Sequence, residues 1–459
     1  MTATQTAPLG RHAIVIGAGI GGLAAAGALA DFFERVTILE RDALPADPSP
    51  RAGVPQSNHP HALLLGGQRA LDDLFPGFEA DLARAGAVTL RAVSDVREER
   101  PHFDPFPQRD IGWIGYTMSR PLLEHVARRR VEALPNVTLR DKCQVLAIMA
   151  AADGAVAGVR FAPKGSGEEA LAADLVVDAS GRGALTLAFL EASGRSQPAQ
   201  TTIGIDVNYA TTTFAIPEGQ RDWTLVVTFP DVPGATNAAC LMPIEGNRWM
   251  ALVGAWHSTP AAADADAFMQ SLRSLRTSTI FDAVRGAERL DVIHRFAFPD
   301  SSWRHFESVA DFPRNLVPLG DAISRFNPIY GQGMAVAAQE ARALKDLLGA
   351  RRGDADPFAG FAPAYLAAVH PIIAATWSMS AVPDFIFPQT RGERPSDIEN
   401  SLRFSAGLTM LAARDPEVHK LMLGVRHLIE SPAALRDLAL VQRVQMELAG
   451  ASSARASTS

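Results

Sequence analysis

Residues 12–40 read HAIVIGAGIGGLAAAGALADFFERVTILE, and the fold turns on this stretch. HAIVI and VTILE are β-branched apolar runs of strand length, and LAAAGALADFF between them is helical with a small-residue face. The turn GAGIGG fits G-x-G-x-x-G. Gly17 permits a tight turn, Gly19 lets backbone approach a pyrophosphate, and Gly22 allows close helix-to-strand packing. Glu40 closes the second strand about 20 residues on, where a carboxylate accepts both hydroxyl hydrogens of a ribose. The reading is a βαβ unit that grips an unphosphorylated adenosine ribose, as in FAD or NAD. Arg41 beside it either stacks on adenine or is a surface charge.

Further along, RDALPADPSPRAGVPQSNHP is too rich in Pro, Asp and Ser for regular structure and reads as a loop. Helical periodicity returns in HALLLGGQRALDDLF and, behind Ser119-Arg120-Pro121, in LLEHVARRRVEAL. ADLVVDASG over 173–181 is a short buried strand, and 201–256 alternates β-branched and aromatic residues between turn signals, as an antiparallel sheet does. From about 357 to 449 the pattern is mostly helical. The runs at 12–16, 36–40, 175–178 and 316–319 share the composition of central parallel strands. The expected architecture is α/β: a discontinuous Rossmann-like domain (10–80, 115–195 and 290–350), an antiparallel substrate-binding sheet (81–114 and 196–289) and a helical C-terminal region (351–450).

The chain of 459 residues is long enough for two or three domains. Its 47% hydrophobic and 20% charged content is that of a soluble globular protein, and no run approaches about 18 unbroken apolar residues. A formal charge of -7 argues against nucleic acid as a partner. Cys143 and Cys240 stand far apart with no metal-ligand spacing, so neither a disulfide framework nor a metal site is expected, and a cytoplasmic location is. Residues 1–9 read as a polar leader and SSARASTS at the end as a frayed tail.

A second glycine turn separates FAD from NAD. LVPLGDAISRFNPIYGQGMAVAAQEARAL, over 316–344, ends a strand on Gly320-Asp321 and restarts as a helix behind Gly331 and Gly333. Asp321 suits a ribityl chain, and the new helix directs its partial positive charge at the pyrimidine end of a flavin. One FAD then spans both turns. GAGIGG with Glu40-Arg41, Ser119-Arg120-Pro121-Leu122, Asp178-Ala179-Ser180-Gly181, and Gly320-Asp321 with Pro328 and Gly331-Gln332-Gly333-Met334 occur in the order seen in single-component flavoprotein monooxygenases. The sequence resembles that family over about three quarters of its length, and is nearest in wording to squalene-type and polyether-type epoxidases. Aromatic hydroxylases commonly carry Asn where this chain has Ala335, whereas squalene-type epoxidases have Gly-Met and a small residue, as here.

The resemblance implies FAD as cofactor, NAD(P)H or a partner flavin reductase as source of electrons, O2 as co-substrate, and epoxidation or hydroxylation of a small molecule. It marks Arg51 and Arg120 as phosphate or ribityl contacts, Val145 as a backbone contact to adenine, and Met334 as a flavin contact. The oxygen transferred is electrophilic and needs a dry pocket; an alkene asks little more than positioning, while a phenol benefits from a base. His61 and Tyr330 are the candidate catalytic residues, against the reading that His59 and His61 serve a helix-start hydrogen bond, which weighs slightly more. Phe214, Trp223, Phe229, Trp249 and Trp256 are candidates to line a lipophilic pocket, against the alternative that they are core. The halogenase signature W-x-W-x-I-P is missing, with Trp113-Ile114-Gly115 the nearest match, and the first lysine is Lys142. An aromatic hydroxylase and an alkene reductase of the geranylgeranyl type remain alternatives.

Overall fold

The structure, a computed structural model, describes residues 7–258, 262 and 264–456. The polar leader over 1–6 and the last three residues of the tail fall outside that description. The helical conformation continues to Ala456, through most of the stretch expected to fray.

The chain opens with β1 (Gly10–Ile16), α1 (Ile20–Ala30) and β2 (Phe33–Leu39), the expected βαβ unit. α2 (Leu65–Leu74) and α3 (Phe78–Arg84) follow the Pro-rich loop, then β3 (Val88–Arg91), β4 (Val96–Glu99), β5 (Ile114–Thr117), α4 (Arg120–Glu132) and β6 (Val137–Arg140). A small layer is built from β7 (Cys143–Ala150), β8 (Val156–Pro163) and β9 (Glu169–Ala172). β10 (Leu175–Asp178) and α5 (Ala184–Ala192) return to the first domain. The long β11 (Gln200–Ala215) leads to β12 (Leu225–Thr228), β13 (Asn237–Ile244) and β14 (Arg248–Ala255), and then to α6 (Ala265–Arg273), α7 (Thr279–Val284) and β15 (His294–Arg304). β16 (Leu316–Pro318), β17 (Ser324–Arg325) and α8 (Gly333–Ala350) complete the body, and α9 (Phe361–Ser380), α10 (Ile398–Arg414), α11 (Pro416–Arg426) and α12 (Leu438–Ala456) form the C-terminal region.

A five-stranded parallel sheet runs in the order β16-β10-β1-β2-β6. β1, β2, β10 and β16 are mostly buried on both faces, which is why they read as apolar runs rather than alternating ones, while the edge strand β6 is not. Register aligns Ile16 with Leu39 on one side and with Asp178 on the other, and Asp178 with Pro318. The turns that follow these strands therefore emerge side by side at the carboxyl edge, where ligands of such sheets bind. α1 lies against α8, close enough that a Cβ on Gly21 would stand 3.4 Å from the Ala337 methyl.

The second sheet has seven strands in the order β17-β15-β11-β14-β13-β12-β4, antiparallel apart from the β4–β12 pair. Two boundaries differ from expectation. β15 lies within 290–350 yet pairs with β11 along His294–Arg304, so this segment crosses into the roof. Within 81–114 only β4 joins the roof, while β3 pairs with β5 in a separate ribbon. Pairing of this kind is set by residues far off in sequence, and local composition does not carry it.

The segment Phe361–Ile386, with α9 as its body, is long and apolar enough by length and mean hydropathy (1.3) to cross a membrane. It also buries Phe361, Tyr365, Leu366, Val369 and Ile373 at 2% exposure or less, the pattern of a core helix.

Candidate cofactor and substrate site

The three glycines of the first turn do three different things. Gly17 has φ +97°, and a Cβ there would sit 2.7 Å from the Ala179 carbonyl oxygen. A Cβ on Gly22 would lie 1.9 Å from the Gly17 carbonyl oxygen. Gly19, at the start of α1, has nothing within 4 Å of the same position, so its lack of a side chain leaves an open approach to the helix N-terminus. A phosphate is the group such an approach fits.

Glu40 is buried, with Oε2 accepting from the Ala18 N–H at 2.7 Å and Oε1 from the Asp42 N–H at 2.9 Å. Arg51 reaches it at 3.3 Å, pairs with Asp42 at 2.9 Å and donates to Glu124 at 3.2 Å, while Arg120 holds the other oxygen of Glu124 at 2.8 Å. Ala18, Leu44, Ser49, Arg51, Glu124 and Arg128 are among the residues lining the cleft beside the turn. Arg41 stands at the surface, its side chain 66% exposed. Val145 pairs with Phe161 beside a register shift, on a strand whose start is tied to Glu40 by the Cys143 N–H. Asp178, in the DASG stretch, spends its carboxylate locally on the Ser180 N–H and on Thr186, with Thr186 Oγ1 donating at 2.7 Å.

At the second turn Gly320 (φ +68°) donates its N–H to Glu340, and Asp321 projects toward the start of α8, where a Cβ on Gly333 would lie 3.9 Å from its Oδ1. Arg120, Arg304 and Arg325 act on the Asp321 carboxylate, though burial outweighs them and raises its pKa. Gly331 is left-handed (φ +71°) and close to Ala62. Met334 is buried in the main core. Gln332 is 2% exposed and its side-chain oxygen has no hydrogen-bond partner. Gly17, Gly19, Glu40, Arg51 and Arg120 on one side and Asp321, Gly331, Gly333 and Met334 on the other thus flank one edge of the parallel sheet. An open glycine at one helix start and an unpartnered amide at the other fit a dinucleotide laid across both.

Over the second turn lies the seven-stranded sheet. His59 is buried, hydrogen-bonds Thr211 Oγ1 at 2.8 Å through Nδ1, and stands edge-on to Tyr209 at 4.7 Å between centroids. His61 Nδ1 donates to the His59 carbonyl at 2.8 Å, which leaves its Nε2 a lone pair. Burial lowers both imidazoles to about 3, helped by Arg120 for His61 and by His61 for His59, so both are neutral. Tyr330 donates its hydroxyl to Asp384 at 3.0 Å, and burial with this carboxylate drives the phenol well above its ordinary pKa. As a candidate base Tyr330 is corrected: its proton is committed.

Asp384, absent from the sequence expectation, is fully buried and also accepts from Trp256 Nε1 at 2.9 Å and from Asn327 Nδ2 at 3.0 Å. It fastens the C-terminal region to both the sheet and the second turn. Its one sequence signal was a lone acid in the apolar run VPDFIF.

The aromatic candidates divide by face. Phe214 and Trp249 pair directly and lie, with Trp223, in the core beneath α6 and α7, away from His59. The expected place of Phe214 and Trp249 on the pocket wall is corrected, because strand alternation sends every second residue to the far face, and Trp223, ahead of β12, stacks on Trp249 at 5.8 Å. Trp256 and Phe229 are on the near face. That face instead presents Tyr209, Thr211, Leu252, Cys240 and Phe296. Among the described residues no group of three or more His, Cys, Asp or Glu side chains could hold a metal.

Residues 11–358 match the family model described as FAD binding domain. The chain is 34% identical to Protein Rv3254 of Mycobacterium tuberculosis over 403 residues, 83% of this chain and 82% of that one. It is 26% identical to the kynurenine 3-monooxygenase of Salinispora arenicola over 363 residues, 76% and 74% of the two chains. Among solved structures, PqsL of Pseudomonas aeruginosa superposes with a TM-score of 0.61 at 19% identity, covering 83% of this chain and 97% of the other. The flavin-dependent brominase Bmp2 gives 0.64 at 15% identity, covering 93% and 98%, a likeness of fold alone.

Proposed function

This chain belongs to the FAD-dependent flavoprotein monooxygenases of group A, and from that premise we propose that it epoxidises an alkene in a lipophilic small molecule. Bound FAD, reduced by NAD(P)H, supplies the activation of O2 and the transfer of one oxygen atom. The first turn would hold the pyrophosphate at Gly19 and the ribose at Glu40, with the Val145 backbone and Arg41 available to the adenine. Arg51 and Arg120, now paired with Glu40, Asp42 and Glu124, would reach the phosphates by exchanging a carboxylate partner. Asp321 would take the ribityl hydroxyls, and Gly331, Gly333 and Met334 at the start of α8 would hold the flavin, with the partial positive charge of α8 favouring its reduced form.

The observation that favours the alkene reading is that His59, His61 and Tyr330, at the second turn, are not poised as bases; the near-face group a phenol could use is His294, opposite Thr211 and bonded to Asp291 at 3.0 Å. Burial holds His59 and His61 neutral, at about 3, and Tyr330 keeps its proton, which it shares with Asp384 in a hydrogen bond. A phenol would gain little from such groups, whereas an alkene needs placement and exclusion of water. Trp256, Phe296, Leu252 and Tyr209 supply that apolar wall. A flavin reductase as electron donor, a place in secondary metabolism and a cytoplasmic location belong to the same reading; two unpaired cysteines agree with the last.

The test is turnover of a panel of lipophilic alkenes and matching phenols under 18O2 with NADPH, NADH or a flavin reductase. One 18O atom in an epoxide is the expected product. A labelled catechol would replace the proposal by aromatic hydroxylation. Reoxidation of the reduced protein by an alkene under nitrogen, with a saturated product, would mark an alkene reductase.

A further inference from the structure

Two neighbouring rows of the roof sheet differ in a way that points to the substrate. Ala210, Val253, Ala239, Thr228 and Glu99 are in register across five strands on the far face, and none exceeds 6% exposure. One residue along each strand, on the near face, the row is Thr211, Leu252, Cys240, Val227 and Glu98. Thr211 is covered by His59, but Leu252, Cys240, Val227 and Glu98 are all partly exposed, Glu98 at 17% of its side chain. The row thus runs from Thr211 beside His59 to Glu98 across four strand spacings, about 19 Å, with its three middle members an apolar, incompletely covered stripe.

The stripe ends on cations. Glu98 pairs with Arg100 at 2.5 Å and with Arg426, from the end of α11, at 2.8 Å. Among the described residues it is the one carboxylate paired with either arginine. Both guanidiniums lie over the ring of Phe229, at 4.9 and 5.8 Å from its centroid, and the Arg426 charge is felt at Tyr330. Arg100 Nε is buried with no acceptor, and the Arg426 side chain is 41% exposed. His419 and His427 nearby are held neutral, at about 4, by burial, with Arg109, Arg100 and Arg426 adding to it at His419 and Arg426 at His427. Arg109, the next cation, is occupied in capping the Ala412 and Ala413 carbonyls. Two cations against one anion leave a surplus positive charge in a partly desolvated place, with an unused donor.

We propose that Arg100 and Arg426 form a subsite for an anionic group, so that the substrate is a lipophilic acid whose carboxylate is held at the far end of the stripe from the flavin. This rests on the reading above that the near face bounds the substrate cavity. A fork of donors beside an aromatic plane is the arrangement that binds a carboxylate well.

The experiment uses FAD-loaded full-length protein titrated with octanoate, dodecanoate and 2-naphthoate, each beside its primary amide, following flavin absorbance and thermal shift. At least one acid should bind tenfold or more tightly than its amide. Arg426→Gln should bring that ratio to within about twofold of one, and Arg426→Lys should keep most of it, with FAD content unchanged in both. The proposal is overturned if no acid in the set outbinds its amide, or if the preference survives both Arg426→Gln and Arg100→Gln. Failure of the monooxygenase reading shows separately, as acid preference without substrate-stimulated oxygen use.

Discussion

At the scale of single residues, neighbouring positions of like composition answer to different forces. Gly22 is held by a carbonyl 1.9 Å from where a Cβ would be, and Gly19 by nothing but access. Gly22→Ala should therefore fail to give soluble folded protein. Gly19→Val should fold with a Tm within a few degrees of the parent, yet lose at least tenfold in FAD affinity, read as flavin absorbance per protein after desalting. Glu340 gives a pH prediction. It is fully buried with one oxygen on the Gly320 N–H and the other unpartnered, near Asp321 and Tyr365; burial raises its carboxyl to about 8. In the unfolded chain it titrates near about 4.3. The native state holds the extra proton between these values, so this contribution to stability is complete below about 4.3 and is lost as pH rises through about 8. Glu340→Gln keeps the acceptor for Gly320 and removes the titration. Denaturant melts should show the parent losing on the order of 3 kcal/mol more than the variant between pH 5 and pH 8.5.

At the scale of elements, the two faces of β11, β13 and β14 behave differently. Trp249 fills the core under α6 and α7, so Trp249→Ala should cost about 3–5 kcal/mol of stability in denaturant titration and leave FAD binding per folded molecule as it was. Cys240 and Leu252 lie on the half-covered face, where Cys240→Trp adds bulk to the stripe. That variant should keep its Tm within a few degrees and its FAD, and lose most substrate-stimulated NAD(P)H oxidation. An equal loss of FAD would place Cys240 in the core rather than on the cavity wall. The strands themselves were legible, since alternation and turn residues are local. Which face meets the flavin was not, because a period of two marks two faces without labelling them.

At the scale of the whole molecule, a dinucleotide across both turns would tie segments more than 300 residues apart and so stabilise the native state by mass action. Stripping FAD should lower Tm, and restoring it at about 100 times its dissociation constant should return about 2.7 kcal/mol. The C-terminal helices contribute too, through Asp384 on Tyr330, Asn327 and Trp256 and through Arg426 on Glu98. Little announced those links in advance: a lone Asp or Arg on a helical stretch resembles any solvated charge until its neighbours are known. The βαβ unit, the second glycine turn, the parallel strands and the flavoprotein family could all be read from the amino acids, because backbone freedom at Gly17, strand composition and the spacing to Glu40 are properties of contiguous residues. The face of the roof that meets the site, the commitment of the Tyr330 proton, the crossing of β15 between domains and the pairing of two arginines on one glutamate were decided only by folding. Each depends on desolvation and register between segments distant in the chain, and those energies do not exist until the segments pack.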